Sequence, residues 1–333
     1  MRVTLLAHER FPDHAKTALG VLRYADHDVV AVLDRANAGG RVHDHVEDVQ
    51  DAPIVSSMAD APACDALIIG IAPIGGDFEP GWRPDVRTAI ERGCDVIAGL
   101  HYLLSKDAEF AQLAEEYDVT LRDVREPPED LGVARGEPAD THVVLTVGTD
   151  CSVGKMTASF ELRDGARERG LDAAVVPTGQ TGIMIAGWGI SIDRVISDFA
   201  AGATEQLVHK AADHDVVFVE GQGALCHPAY SGVTTAILHG AQPDSMILCH
   251  VAGRERVGSY DAFAIPDPAT YASLYEQVSD PVSPATVDAG MVNTYGLEPS
   301  EARTAVDSYA ETLGVPATDP VRYDVEAVLD AVL

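Results

Sequence analysis

Short apolar runs alternate with helically spaced stretches along most of the chain. In the first third, the runs at 3–7, 29–33, 66–71, 96–100 and 119–124 read as strands. Residues 15–24 have helical spacing, with Ala18, Leu19 and Leu22 on one face. Pro84 suits the first turn of a helix over 84–92. Pro73 and the Gly75-Gly76 pair follow the third run. Strands alternating with helices imply a mostly parallel sheet with helices on both faces. The first run is too short, and too soon interrupted by His8 and Glu9, for a signal peptide.

The pattern lapses at 125–140, which is rich in proline, glycine and charge and has no apolar period. It resumes with a strand at 142–147, a helix at 156–169 closed by Gly170, and a strand at 173–176. A glycine-rich stretch over 179–189 follows, then a helix at 201–212 and a strand at 215–220. A helix at 232–240, a strand at 245–250 and two late helices complete the chain. The fold class is therefore α/β: an N-terminal Rossmann-like parallel-sheet domain over 1–125, a linker at 126–140, and a C-terminal P-loop NTPase-like domain over 141–333. A length of 333 residues suits two domains, because one core rarely grows past about 250–300 residues.

The first domain lacks a dinucleotide fingerprint. Its first turn reads His8-Glu9-Arg10-Phe11-Pro12, without the glycines that let a backbone approach a pyrophosphate. NAD binding is therefore disfavoured, and Asp34 reads as a strand-end loop residue.

The second domain carries the chemistry. Gly148-Thr149-Asp150-Cys151-Ser152-Val153-Gly154-Lys155-Met156-Thr157 joins a strand to a helix. Backbone N–H groups and the helix N-terminus there carry partial positive charge, and Lys155 adds a full one, so the segment predicts a phosphate cradle. Lys155 is one of only four lysines in the chain. The spacing departs from G-x-x-x-x-G-K-[ST], since Met156 separates Lys155 from the hydroxyl of Thr157. One residue is about 100° of helix rotation, so metal-assisted γ-phosphate chemistry is less secure than phosphate binding. The competing reading is a glycine-rich turn with a surface lysine.

Glu220 ends an apolar strand and precedes Gly221-Gln222-Gly223. It is a candidate Mg²⁺ ligand in a kinase-like protein. In an acyl transferase, Glu220 or His227 would take the proton of an attacking amine. A capping or salt-bridged strand end is the plain alternative for Glu220, and a structural histidine for His227. Gln180 and Thr181, in Thr178-Gly179-Gln180-Thr181-Gly182, are candidates to bind a substrate carboxylate, against an ordinary turn. Arg254 and Arg256 are candidate carboxylate partners, with a surface ion pair to Glu255 as the alternative. Loop position alone does not make Cys151 a nucleophile.

Composition narrows the classes. Acidic residues number 53 against 23 basic ones, a formal charge of −30. Scattered along the chain, they predict an acidic, halophilic surface on which hydrated carboxylates repel one another less when salt screens them. A surface built for a basic partner is the alternative. Nucleic acid is excluded as a partner, because such a chain repels phosphate backbones. Five irregularly spaced cysteines without a CxxC pair argue against a disulfide framework and a zinc site, and fit a reducing cytoplasm. No metal site and no membrane association are expected, since no apolar run approaches the roughly 20 residues of a bilayer span. A homo-oligomer acting on a small-molecule substrate is the expectation.

The loop Gly-Thr-Asp-x-x-Val-Gly-Lys resembles that of dethiobiotin synthetase and its amidotransferase relatives. Ala15-Lys16-Thr17-Ala18, Val32-Leu33-Asp34-Arg35, residues 148–157, Thr178–Gly182, Val219-Glu220-Gly221-Gln222-Gly223 and His227-Pro228 together resemble one family over nearly the whole chain. These are two-domain proteins, long catalogued as a domain of unknown function and now associated with D-glutamate N-acetyltransferase. The resemblance implies acetyl transfer from acetyl-CoA to the amino group of D-glutamate, the loop holding a CoA phosphate. Two other readings stay open: an ATP- and Mg²⁺-dependent ligase or kinase of the dethiobiotin synthetase type, and a non-catalytic nucleotide-binding protein.

Overall fold

A computed structural model describes residues 1–71 and 76–333. Pro73 and Gly75 therefore lie outside the described residues. The chain divides into two compact units, 1–127 with 180–191, and 128–179 with 192–333.

The first unit is built from β1 (Arg2–Leu6), α1 (Lys16–Tyr24), β2 (Asp28–Leu33), β3 (Ile54–Val55), β4 (Ala66–Ile69), α2 (Arg83–Glu91), β5 (Asp95–Ala98), α3 (Ala108–Tyr117) and β6 (Leu121–Asp123). Its six strands lie in the order β3-β2-β1-β4-β5-β6, all parallel. The inner strands are buried on both faces, so they read as mainly apolar runs, with Thr4 of β1 buried among them. Leu6, Leu33, Ile69, Trp82, Ile90 and Phe110 belong to the core against one face. Helix α3 lies outside the sequence-based expectations. Its apolar stripe is thin, with Phe110 its one fully buried side chain, and its start is set by Asp107, which accepts from the Glu109 and Phe110 amides. Asp34 is a buried turn carboxylate that accepts from the Glu9 amide at 2.6 Å and from Asn37 Nδ2 at 2.7 Å.

The second unit contains β7 (His142–Gly148), α4 (Lys155–Glu168) and β8 (Ala173–Val176). After β8 the chain forms α5 (Gln180–Ala186), which packs within the first unit. It then returns as α6 (Ser197–Lys210), β9 (Val216–Glu220), α7 (Ser231–Ala241), β10 (Ser245–Val251), α8 (Pro268–Ser279), β11 (Thr286–Asn293), α9 (Pro299–Leu313), β12 (Ala317–Thr318) and α10 (Glu326–Val332). The parallel sheet runs β12-β11-β10-β7-β9-β8. Part of the expected linker packs here: Glu205 accepts from the Arg135 and Glu137 amides at 2.8 and 3.0 Å.

Three readings differ from the structure. The glycine-rich stretch over 179–189 is largely helical, because α5 buries Ile183, Met184 and Ile185, and Ile185 packs closely against Gly20 of α1. Three late helices are present where two are expected. Strand β11 escapes pattern reading because Asp288 and Gly290 interrupt its apolar run. All five cysteines are free thiols. No helix among the described residues is long and apolar enough to cross a membrane.

Candidate functional site

Strand β7 is the centre of the second sheet, with β9 on one side and β10 on the other. The chain leaves β7 toward β8 and β9 and later crosses to β10. The carboxyl end of β7 is thus the point where strand order reverses, the usual position of a ligand in an open α/β sheet.

That end is held from below by α8. Tyr275 Oη donates to the Gly148 carbonyl at 2.8 Å, and the Tyr271 hydroxyl accepts from the Cys226 amide at 2.9 Å. Burial pushes both phenols up, so they stay neutral. Beyond Gly148 the chain takes left-handed conformations at Ser152 (φ 53°) and Gly154 (φ 102°) before entering α4. A side chain at Gly154 would be strained, which is why the residue before Lys155 is glycine. Successive amides in such a turn, with the helix N-terminus behind them, form an anion-binding concavity.

Lys155 is 7% exposed. Its Nζ donates to the Asp150 carbonyl at 2.8 Å and the Gly223 carbonyl at 2.9 Å, so the ammonium bridges the phosphate loop and the loop after β9. Met156 is buried as well, so a thioether and not a hydroxyl follows the lysine. Thr157 is half-buried.

Asp150 ties the loop to distant chain. It is fully buried; its Oδ1 accepts from the Cys151 amide at 2.7 Å. Its Oδ2 accepts from the Gly258 amide at 2.8 Å and Arg254 Nη1 at 3.2 Å. Arg254 also donates to the Cys151 carbonyl at 3.1 Å, which brings a second cation to the loop. Arg256 is not part of this cluster: it is exposed and donates to the Asp261 carbonyl at 2.8 Å. Thr149 Oγ1 is hydrogen-bonded to His250 Nδ1 at 2.8 Å. Burial, with Arg254 beside it, lowers the His250 pKa to about 4, so the ring is neutral and stacks on Tyr309.

His227 joins the same cluster, with Nε2 3.9 Å from Asp150 Oδ1. Its Nδ1 accepts from the Ala229 and Tyr230 amides at 3.1 and 3.2 Å. A neutral ring whose Nδ1 accepts carries its proton on Nε2, so His227 presents a donor there, not a vacant basic nitrogen. Burial lowers its pKa, and Lys155 adds to the effect while Asp150 opposes it. Asp150, Cys151 and His227 each bring one potential metal ligand atom within 4.8 Å of the others. The hydrogen bonds oppose a metal there. Asp150 already accepts from two amides and a guanidinium, and metal on Nε2 would require an imidazolate while Nδ1 accepts two N–H bonds.

Glu220 ends β9 opposite Thr146 of β7 and is buried. Its Oε2 accepts from the Thr178 and Gly179 amides at 3.3 and 3.2 Å. The next residue, Gly221, passes so near β7 that a Cβ there would lie 1.9 Å from the Thr146 carbonyl oxygen and 3.4 Å from Lys155 Cδ. The chain just after Glu220 thereby runs along the stem of the lysine. Gln180 and Thr181 stand at the start of α5; Thr181 is buried, its hydroxyl 2.9 Å from that of Thr17. Sequence reasoning missed His250, Tyr275 and Gly258, which serve the loop from 100 or more residues away in the chain, and Tyr271, which holds the Cys226 amide; none carries a local signal.

Fold and loop together define a two-domain α/β protein of the P-loop class. Residues 131–329 match the P-loop domain, and residues 35–127 the Rossmann-like domain, of the domain of unknown function DUF1611. A D-glutamate N-acetyltransferase of a Pseudoalteromonas species is 35% identical over 264 residues, covering 79% of this chain and 80% of that protein. The D-glutamate N-acetyltransferase of Tritonibacter scottomollicae is 36% identical over 281 residues, 82% of each chain. The crystal structure of a DUF1611 family protein from Anabaena variabilis superposes with a TM-score of 0.93 at 36% identity, over 99% of this chain and 98% of that one. The chain belongs to the DUF1611 family and is an enzyme of its acetyltransferase class.

Proposed function

We propose that the enzyme moves the acetyl group of acetyl-CoA to the amino group of D-glutamate, with a donor phosphate in the 148–157 loop. The observation that carries this reading is the combination of a buried lysine cradle with a buried Met156 at the position where a metal-binding hydroxyl follows the lysine in G-x-x-x-x-G-K-[ST]. Such a loop suits a phosphate that is held and not transferred. The names of the two curated relatives supply the acceptor and the group moved.

The reaction forms a C–N bond and breaks a C–S bond. The ammonium of the acceptor must first lose a proton, the free amine attacks the thioester carbonyl, and the CoA thiolate leaves and takes up a proton. Glu220 is the candidate proton acceptor, since a carboxylate can take a proton where the Nδ1-engaged His227 cannot. His227 Nε2–H is a candidate donor to the carbonyl oxygen as negative charge builds there. Arg254 provides a second cation for phosphate or carboxylate.

The test follows release of CoA thiol from acetyl-CoA with D-glutamate, L-glutamate or no acceptor. A parallel assay follows ADP formation from Mg-ATP. Thiol release that depends on D-glutamate is expected. ADP formation without acetyl-CoA turnover would replace this reading with the ligase or kinase.

The acidic excess is read as adaptation to high salt. The Debye length falls from about 10 Å at 0.1 M to about 3 Å at 1 M salt, which weakens repulsion among surface carboxylates. The melting temperature is expected to rise as KCl is raised from about 0.1 M to about 2 M. A flat or falling temperature would show that the carboxylates serve something else, such as a basic partner.

A further inference from the structure

Three large aromatic side chains lie half-exposed beside the phosphate loop. Tyr230, Tyr260 and Phe263 are 51%, 36% and 48% exposed. They form a chain of ring contacts that starts at His227. The Tyr230 ring lies 4.6 Å from the imidazole and tilts 33° to it, Tyr260 meets the imidazole edge-on at 5.2 Å, and Phe263 meets Tyr260 edge-on at 6.3 Å. Scattered exposed apolar residues need no explanation, but a contiguous exposed aromatic group marks a contact surface.

The loop that carries two of these rings is anchored on the phosphate loop itself. Arg254 and the Gly258 amide both bind Asp150. The segment is then closed by backbone bonds from Tyr260 to the Val257 carbonyl at 3.0 Å, from Phe263 to the Tyr260 carbonyl at 2.9 Å, and from Val257 to the Phe263 carbonyl at 3.1 Å. Tyr230 begins the turn into α7, and its amide bonds His227 Nδ1. One carboxylate, Asp150, therefore ties the phosphate cradle to the loop that carries Tyr260 and Phe263, while Tyr230 is held through His227.

We infer that Tyr230, Tyr260 and Phe263 form a stacking platform for the purine ring of the phosphate-bearing donor held in the loop. This deepens the proposed function and rests on its reading that the loop takes such a donor. A purine is flat, apolar on its faces and joined through a sugar to its phosphates, so a phosphate cradle bordered by exposed aromatic faces matches both ends of it. Stacking also suits a chain of net charge −30, which has few cations to spend on the rest of a nucleotide. Base–aromatic stacking tolerates different bases and contributes to affinity without contacts to the base edges.

The test is titration calorimetry of CoA, Mg-ATP and inorganic pyrophosphate into the full chain, wild type and Tyr230→Leu/Tyr260→Leu, with melting temperatures to establish folding. Leucine keeps apolar bulk and removes the ring faces. The double variant is expected to bind CoA at least about ten-fold more weakly while its pyrophosphate affinity stays within about two-fold of wild type. Tyr230→Phe/Tyr260→Phe is expected to restore CoA binding. CoA affinity unchanged in the leucine variant, or lost equally with pyrophosphate affinity, would overturn the platform. Wild type that binds Mg-ATP and not CoA would overturn the acetyl-CoA reading alone, and the same leucine comparison made with ATP would then decide the platform. Wild type that binds none of the three would overturn both.

Discussion

Replacing Lys155 by alanine is expected to weaken acetyl-CoA binding by about a hundred-fold and to remove measurable acetyl transfer at donor concentrations that saturate the wild type. Lys155 is buried, and its ammonium is directed at two carbonyls that border the cradle. An ammonium has three N–H donors, and two of those of Lys155 are on these carbonyls, so at most one bonds a phosphate. A charge-assisted hydrogen bond contributes about 1.5–3 kcal/mol, and a hundred-fold loss lies near the upper end of that range. The substitution also strips the Asp150 and Gly223 carbonyls of a donor, so some loss of melting temperature accompanies it. Titration calorimetry on protein whose circular dichroism matches wild type separates the two effects. Affinity within about three-fold of wild type would mean that the donor does not use this loop.

Gly221→Ala is expected to destabilise the second unit by about 3 kcal/mol or more. The added Cβ would lie 1.9 Å from the Thr146 carbonyl oxygen, on the backbone of the central strand β7, where neither partner can rotate away. Overpacking a tight contact costs typically about 1–3 kcal/mol, and a clash between two backbones belongs at or above that range. Urea unfolding measures it. Gly232→Ala is the control: nothing lies within 4 Å of the added carbon, and Gly232 is in the first turn of α7, where alanine is the better helix former. It is expected to leave the urea midpoint unchanged or slightly raised. A small shift for Gly221→Ala would mean that β7 and the strand end at Glu220 can separate without penalty. Where the variant folds at all, displacement of Glu220 and the Lys155 stem is expected to cost activity beyond the loss of folded protein.

Much of this molecule is legible in local pattern. The strands at 3–7, 29–33, 173–176 and 245–250 appear within a residue or two of β1, β2, β8 and β10, because buried strands are mainly apolar runs. Helix α4 appears for a different local reason, its start being set by Gly154 and its end by Gly170 with φ of 85°. The phosphate loop is legible for the same cause: a cradle made of consecutive amides needs consecutive residues, and its glycines and lysine stand together in the chain. Elements with mixed composition, α3 and β11, were not legible, since their stability comes from what they pack against.

The two α/β units, the strand–loop–helix phosphate cradle and the acidic excess are readable from the chain alone, because each is a property of neighbouring residues or of composition. Which distant groups serve that cradle is settled by folding. It joined Arg254 and Gly258 to Asp150 and left Arg256 to its own loop. It engaged Nδ1 of His227 and so made the ring a donor. It also folded 180–186 into a helix of the first unit, with Thr181 against Thr17. These outcomes depend on contacts between residues as far as 164 positions apart, and no periodicity or motif encodes a hydrogen bond across that separation.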